Sequence, residues 1–127
     1  MVELDKKSLR MLQMIELELL LEVDRICKKH QIPYTVIGGT LLGSVRHQGF
    51  IPWDDDADLA MMRKDYIRFR NICRKELDSS KYYFQDAEVT DGYRWSYGKL
   101  RRKDTLFLRE HQEHMPYEQG VFIDVFP

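Results

Sequence analysis

The stretch "IPWDDDADLAMM", residues 51–62, sets four aspartates within five positions and follows them with an apolar run. Carboxylates this close repel one another, so water, a calcium ion or a catalytic metal must compensate them. A calcium loop would use Asp54, Asp56 and Asp58 as its first ligands and Asp65 as its last. It fails at the turn, where Leu59 stands in place of the required glycine, and "LAMM" is too apolar for an exposed loop. A solvated acidic turn suits Asp54 and Asp55, which follow Pro52 and Trp53. It does not suit Asp56 and Asp58, which alternate with Ala57 and Leu59 in the period of a strand. Alternate residues of a strand share a face, with Cα atoms roughly 6.5 Å apart. Two carboxylates so placed can converge on one divalent cation or bridge two, and hard oxygen ligands select Mg²⁺ or Mn²⁺ over zinc.

Such a site takes a third carboxylate from a neighbouring strand, and Asp124 in "VFIDVF" is the candidate, a lone acid in an apolar run. Buried unpaired, it would cost several kcal/mol or neutralise itself. Gly38-Gly39-Thr40 follows a strand-like run and opens a helix-like one. There the unpaired backbone N–H groups can hold a phosphate, glycine lets the ligand approach the main chain, and Thr40 can cap or contact it. A purely steric role for the glycines is an equal alternative. Gly38 to Gly43-Ser44 has P-loop glycine spacing without the lysine, and GxGxxG is absent. A glycine-pair turn followed by Asp-x-Asp on the next strand is the arrangement of nucleotidyltransferase-fold enzymes. Arg46, Lys99, Arg101 and Arg102 are the bases able to neutralise a diphosphate. His111 and His114 have helical spacing but neither cysteine partners nor an HExxH pattern, and His30 and His47 are isolated; all four read as surface or structural.

The elements that must position these residues follow from periodicity. Residues 5–29 read as one helix, capped by Asp5, with Leu9, Leu12, Ile15, Leu19, Val23 and Ile26 at three- and four-residue steps and Pro33 preventing continuation. Its length is roughly 37 Å. Residues 34–39 read as a strand, 40–49 as a helical turn or short helix, 56–62 as a strand and 63–77 as a helix. Strands are expected over 82–86, 93–100, 105–110 and 121–126. This order predicts an α+β or mixed α/β domain: a small sheet flanked by helices, with a long helix at its start.

At 127 residues the chain is long enough for one domain with one core. Hydrophobic residues reach 43%, and the net charge of −1 gives no basic excess for nucleic-acid binding. Cys27 and Cys73 lie in helix-like segments and read as buried reduced thiols, as in a reducing compartment. No apolar leader opens the sequence, and no run approaches the roughly 20 apolar residues of a membrane span. The expectation is a cytoplasmic protein, working where needed at the inner face of the membrane. The apolar "GVFIDVFP" end predicts the front part of a longer protein.

"GGTLLGSVRHQGFIPWDDDADLAMMRKDY", residues 38–66, resembles the signature of the LicD family, which includes the fukutin-related proteins. "LLLEVDRICKKHQIPYTVIGG", "YGKLRRKDT" and "GVFIDVFP" resemble its flanking segments, and the likeness runs from about Leu9 onward. The resemblance implies a nucleotidyltransferase-like fold and transfer of a phospho-alcohol, such as phosphocholine or ribitol phosphate, from a CDP-linked donor to a cell-surface glycan such as lipopolysaccharide or teichoic acid. It implies Asp56, Asp58 and Asp124 as metal ligands and Gly38, Gly39 and Thr40 as the phosphate turn. The gap from the glycine pair to Asp56 is longer than in most nucleotidyltransferases. Family members are about twice this length, so the chain is similar to their amino-terminal half, and acceptor-binding elements are expected in the other. Two rivals stand beside this reading: a degenerate nucleotide- or partner-binding module, and a nucleotidyltransferase using an NTP.

Overall fold

The computed structural model describes residues 5–105 and 119–127. Helix α1 (Lys6–His30) begins where Asp5, in extended conformation, accepts a hydrogen bond from the Ser8 N–H at 2.7 Å. It ends on Gln31, which takes the left-handed conformation at φ 56°. Lys28, Lys29 and His30 in the last turn complement the helix dipole. Leu12, Leu19, Val23, Ile26 and Cys27 form the buried stripe. Full burial of each large aliphatic side chain contributes about 1.5–3 kcal/mol.

Among the described residues five strands follow: β1 (Thr35–Val36), β2 (Asp58–Ala60), β3 (Tyr82–Gln85), β4 (Gly98–Arg102) and β5 (Phe122–Phe126). Two further helices, α2 (Gly38–Arg46) and α3 (Arg63–Glu76), flank β2 in sequence. The sheet order is β1-β2-β5-β4-β3, with β2 and β5 parallel and every other pair antiparallel. β5 is thus the central strand although it comes last in the chain. The architecture is the expected mixed α/β one.

Strand alternation gives the sheet two unlike faces. Leu59, Leu100, Ile123 and Val125 join the core with α1, which packs on β4 and β5, and α3, which packs on β3. The opposite face carries a polar row set by register: Asp58 faces Asp124, Asp124 faces Lys99, and Lys99 faces Gln85. Cys27 and Cys73 are free and buried in the core. Burial pushes the Cys27 thiol up to about 12 and raises that of Cys73 as well, as expected of unreactive thiols.

Three expectations are corrected. The strand expected over 34–39 stops at Val36, because the glycine pair belongs to α2 instead. The strand expected over 56–62 is confined to Asp58–Ala60, so Asp56 precedes it. The strand expected over 93–100 shifts to Gly98–Arg102, and residues 93–97 are irregular. The expected strand 105–110 has only Thr105 among the described residues, and His111 and His114 lie outside them. Among the described residues, no helix is long and apolar enough to cross a membrane.

Candidate active site

Asp58 opens β2 and Asp124 lies in the middle of β5; the parallel register places them side by side. Their carboxyl groups are hydrogen-bonded to each other. The strand junction is tight: the Asp124 N–H donates to the Ala57 carbonyl at 3.0 Å, and the Ile37 N–H to the Asp58 carbonyl at 3.1 Å. The Asp58 N–H donates to Thr40 Oγ1 at 2.8 Å, which ties β2 to the first turn of α2.

The preceding turn brings a second acidic group. Carboxylate oxygens of Asp54, Asp55 and Asp56 lie within 4.8 Å of one another, and Asp56 is hydrogen-bonded to Asp54. The Gly38–Gly39 start of α2 lies against both groups. Gly38, at φ +58°, would carry a Cβ 3.6 Å from Asp58 Oδ2, and a Cβ on Gly39 would sit only 2.7 Å from Asp54 Oδ2. The glycine pair therefore has a steric role toward the acids, and it leaves the helix N-terminus, where unpaired N–H groups favour anions, beside them.

The electrostatics record uncompensated negative charge. Burial first, then the hydrogen bond and charge of Asp54, push Asp56 up to about 7. Burial first, then the charge of Asp124, push Asp58 up to about 6, while Lys99 pulls it down. Carboxyl groups crowded in this way make a hard-oxygen donor set whose repulsion a divalent cation would relieve. Asp54, Asp56, Asp58 and Asp124 fit Mg²⁺ or Mn²⁺ by chemistry, since no histidine or cysteine stands among them.

The structure thus pairs Asp58 with Asp124 as expected but groups Asp56 with Asp54 and Asp55. Asp54 was legible only as a supporting acid, because its approach to Gly39 depends on the fold of the 51–54 turn. Lys99 and Arg101, expected at phosphate, are engaged inside the protein. Lys99 is 3% exposed, with Nζ 2.7 Å from Asp124 Oδ1 and 3.8 Å from the Phe122 ring centroid. Arg101 is fully buried; its Nε donates to Gln85 Oε1 and its Nη1 to the Gly120 carbonyl, each at 2.6 Å. Arg102 pairs with Glu18 at 2.8 Å. Arg46 is exposed at the far end of α2, roughly 12 Å of helical rise from Gly38, and its Nε donates to His47 Nδ1 at 3.3 Å. His30 pairs with Glu76 at the end of α1, and His47 packs edge-on to Trp53 with ring centroids 6.0 Å apart. A cavity of about 530 Å³ beside the acids is lined by Arg10, Gly39, Thr40, His47, Phe50 and Asp54 among others.

Fold and site define a mixed α/β domain that presents a carboxylate row beside a glycine-opened helix. The chain belongs to the LicD/FKTN/FKRP family, whose nucleotidyltransferase-domain model matches residues 31–127. A lipopolysaccharide cholinephosphotransferase, LicD, of Haemophilus influenzae is 42% identical over 83 residues, covering 65% of this chain and 31% of that protein. An uncharacterized protein of Rickettsia prowazekii is 28% identical over 124 residues, covering 96% of this chain and 42% of its own length. A second, from Rickettsia typhi, is 41% identical over 68 residues, 54% of this chain and 20% of that protein. The matched stretches therefore cover less than half the length of each of these curated relatives.

Proposed function

We propose that the chain carries the metal-binding and phosphate-binding part of a transferase. It moves a phospho-alcohol, phosphocholine foremost, from a CDP-linked donor onto a hydroxyl of a cell-surface glycan. One observation carries the reading: Asp58 and Asp124 are register neighbours, crowded against each other beside the Gly38–Gly39 opening of α2. Family membership and the named activity of the H. influenzae relative support it. A nucleotidyltransferase-like fold is part of the same proposal.

Asp56, Asp58 and Asp124, with Asp54 as a fourth acid, would hold Mg²⁺ or Mn²⁺, which supplies charge stabilisation at the phosphoryl oxygens. The chain's own groups do the rest. Backbone N–H groups of Gly38, Gly39 and Thr40 bind donor phosphate oxygens. The Thr40 hydroxyl accepts from Asp58 and keeps its own proton to donate to phosphate. Lys99, with Nζ 2.7 Å from Asp124 Oδ1, fixes the position of that carboxylate. The acceptor oxygen attacks the phosphorus that bears the alcohol, the bond from that phosphorus to the bridging oxygen breaks, and CMP leaves with the electron pair. The hydroxyl proton passes to Asp58 or Asp124. Holding donor and acceptor in line is the larger part of the task.

The test is product analysis. The protein is incubated with glycan acceptor and with CDP-choline, CDP-ribitol, CDP-glycerol or an NTP, with and without Mg²⁺. Metal-dependent CMP release with one CDP-linked donor, lost in Asp58→Asn, is the expected result. Pyrophosphate release from an NTP would move the assignment to nucleotidyl transfer. Nucleotide binding without turnover would leave a binding module.

A further inference from the structure

α1 contains a buried primary amide on its inward face. Gln13 is 2% exposed, and an amide so placed must find partners or cost on the order of 1–3 kcal/mol. Its Nε2 donates to three backbone carbonyls of one turn: Asp54 at 2.9 Å, Ile51 at 3.2 Å and Pro52 at 3.4 Å. The turn itself is closed by the Asp54 N–H donating to the Ile51 carbonyl at 2.9 Å. The Gln13 Oε1 accepts from Arg10 Nη1 at 3.0 Å, and because a guanidinium can only donate, this bond fixes which end of the amide faces the turn. Residues 51–57 belong to no helix or strand. The acids at positions 54–56 would therefore ride on a turn without ladder support, were it not clamped from α1.

We infer that Gln13, oriented by Arg10, is a positioning residue for the acidic group. It transmits the rigidity of α1, anchored in the core through Leu12 and Leu19, to the backbone that aims Asp54 at Gly39 and Asp56 at Asp54. Side-chain ligands are held in productive geometry by such a supporting layer of hydrogen bonds. Gln13 meets the turn through backbone carbonyls, so its role is exerted through the acids that the turn carries. The inference rests on the metal-site reading for its functional meaning but not for its structural content.

The experiment uses Gln13→Met, which keeps the length and removes both donors, and Arg10→Ala, an exposed site whose loss leaves the core intact. Two readouts are taken: backbone hydrogen exchange over residues 50–57, and Mn²⁺ affinity by titration. In Gln13→Met, exchange over 50–57 should rise at least tenfold while α3 is unchanged, and Mn²⁺ affinity should fall at least tenfold. Arg10→Ala should give the same pattern at two- to fivefold, and it carries the test alone should Gln13→Met not fold. Unchanged exchange over 50–57 in the folded variants overturns the inference, as does increased exchange with undiminished Mn²⁺ affinity. If the unsubstituted protein binds no Mn²⁺, the metal reading falls, while increased exchange over 50–57 still upholds the clamp.

Discussion

Asp58 feels two like charges, Asp54 and Asp124, and the Lys99 ammonium opposes them. Asp58→Asn removes one acid and supplies an amide of the same size, so the metal-free fold should be retained or gain stability. Mn²⁺ affinity should fall at least tenfold, and calorimetric titration reads it directly. The carboxyls of Asp56 and Asp58 ionise at about 7 and about 6 in the folded chain, against an ordinary 3.8. An acid with a raised folded pKa lends stability below its unfolded value and loses it as pH rises through the folded value. In chelator, the melting temperature should therefore fall as pH climbs from about 5 to about 8. Gly39→Ala tests the close approach to Asp54. Helix propensity favours alanine and the clash opposes it, so stability should change by no more than about 1 kcal/mol. Mn²⁺ affinity should drop severalfold. Asp58 and Asp124 were legible because acids inside apolar strands demand a reason. Asp54 and Gln13 were not, because a turn's path and an amide's partners are set by tertiary contacts that periodicity does not encode.

At the scale of elements, α1 and α3 match the expected spans within a residue, since caps and helical periodicity are local properties. β4 was displaced for a nonlocal reason. The aromatic run 93–97 looks like a strand, but Trp95 and Tyr97 instead lie over Lys99, with ring centroids 5.9 and 5.1 Å from Nζ. The strand begins at Gly98, where a Cβ would meet the Phe84 ring at 2.3 Å. Charged Lys99, Arg101 and Arg102 then occupy the sheet against local preference. Lys99→Met should destabilise the protein by about 3 kcal/mol, because it leaves the Asp124 carboxylate without its buried partner. A lowered urea midpoint, partly restored by Mn²⁺, is the expected outcome. Leu19→Ala, in the fully buried stripe of α1, should cost about 2–5 kcal/mol and leave the Mn²⁺ affinity of the folded protein unchanged.

Across the whole molecule, the proposed ion site would link metal binding and pH through the same carboxyls. The rise in melting temperature on adding MnCl₂ should be larger at pH 8 than at pH 5, because at the lower pH protons already occupy the site. An equal rise at both would detach the acids from the ion. The sheet order has a further consequence. β5 lies between β2 and β4, both of which precede it in sequence. Without it the sheet would be two pieces, β1-β2 and β4-β3, each with an open edge able to pair with a strand from elsewhere. Without β5, Asp58 would lack Asp124 as its neighbour, and the acids near it would be those of the 54–56 turn alone. Asp124 is thus the acid that depends on closure, so an ion held by Asp58 and Asp124 together would act as a latch on the completed sheet.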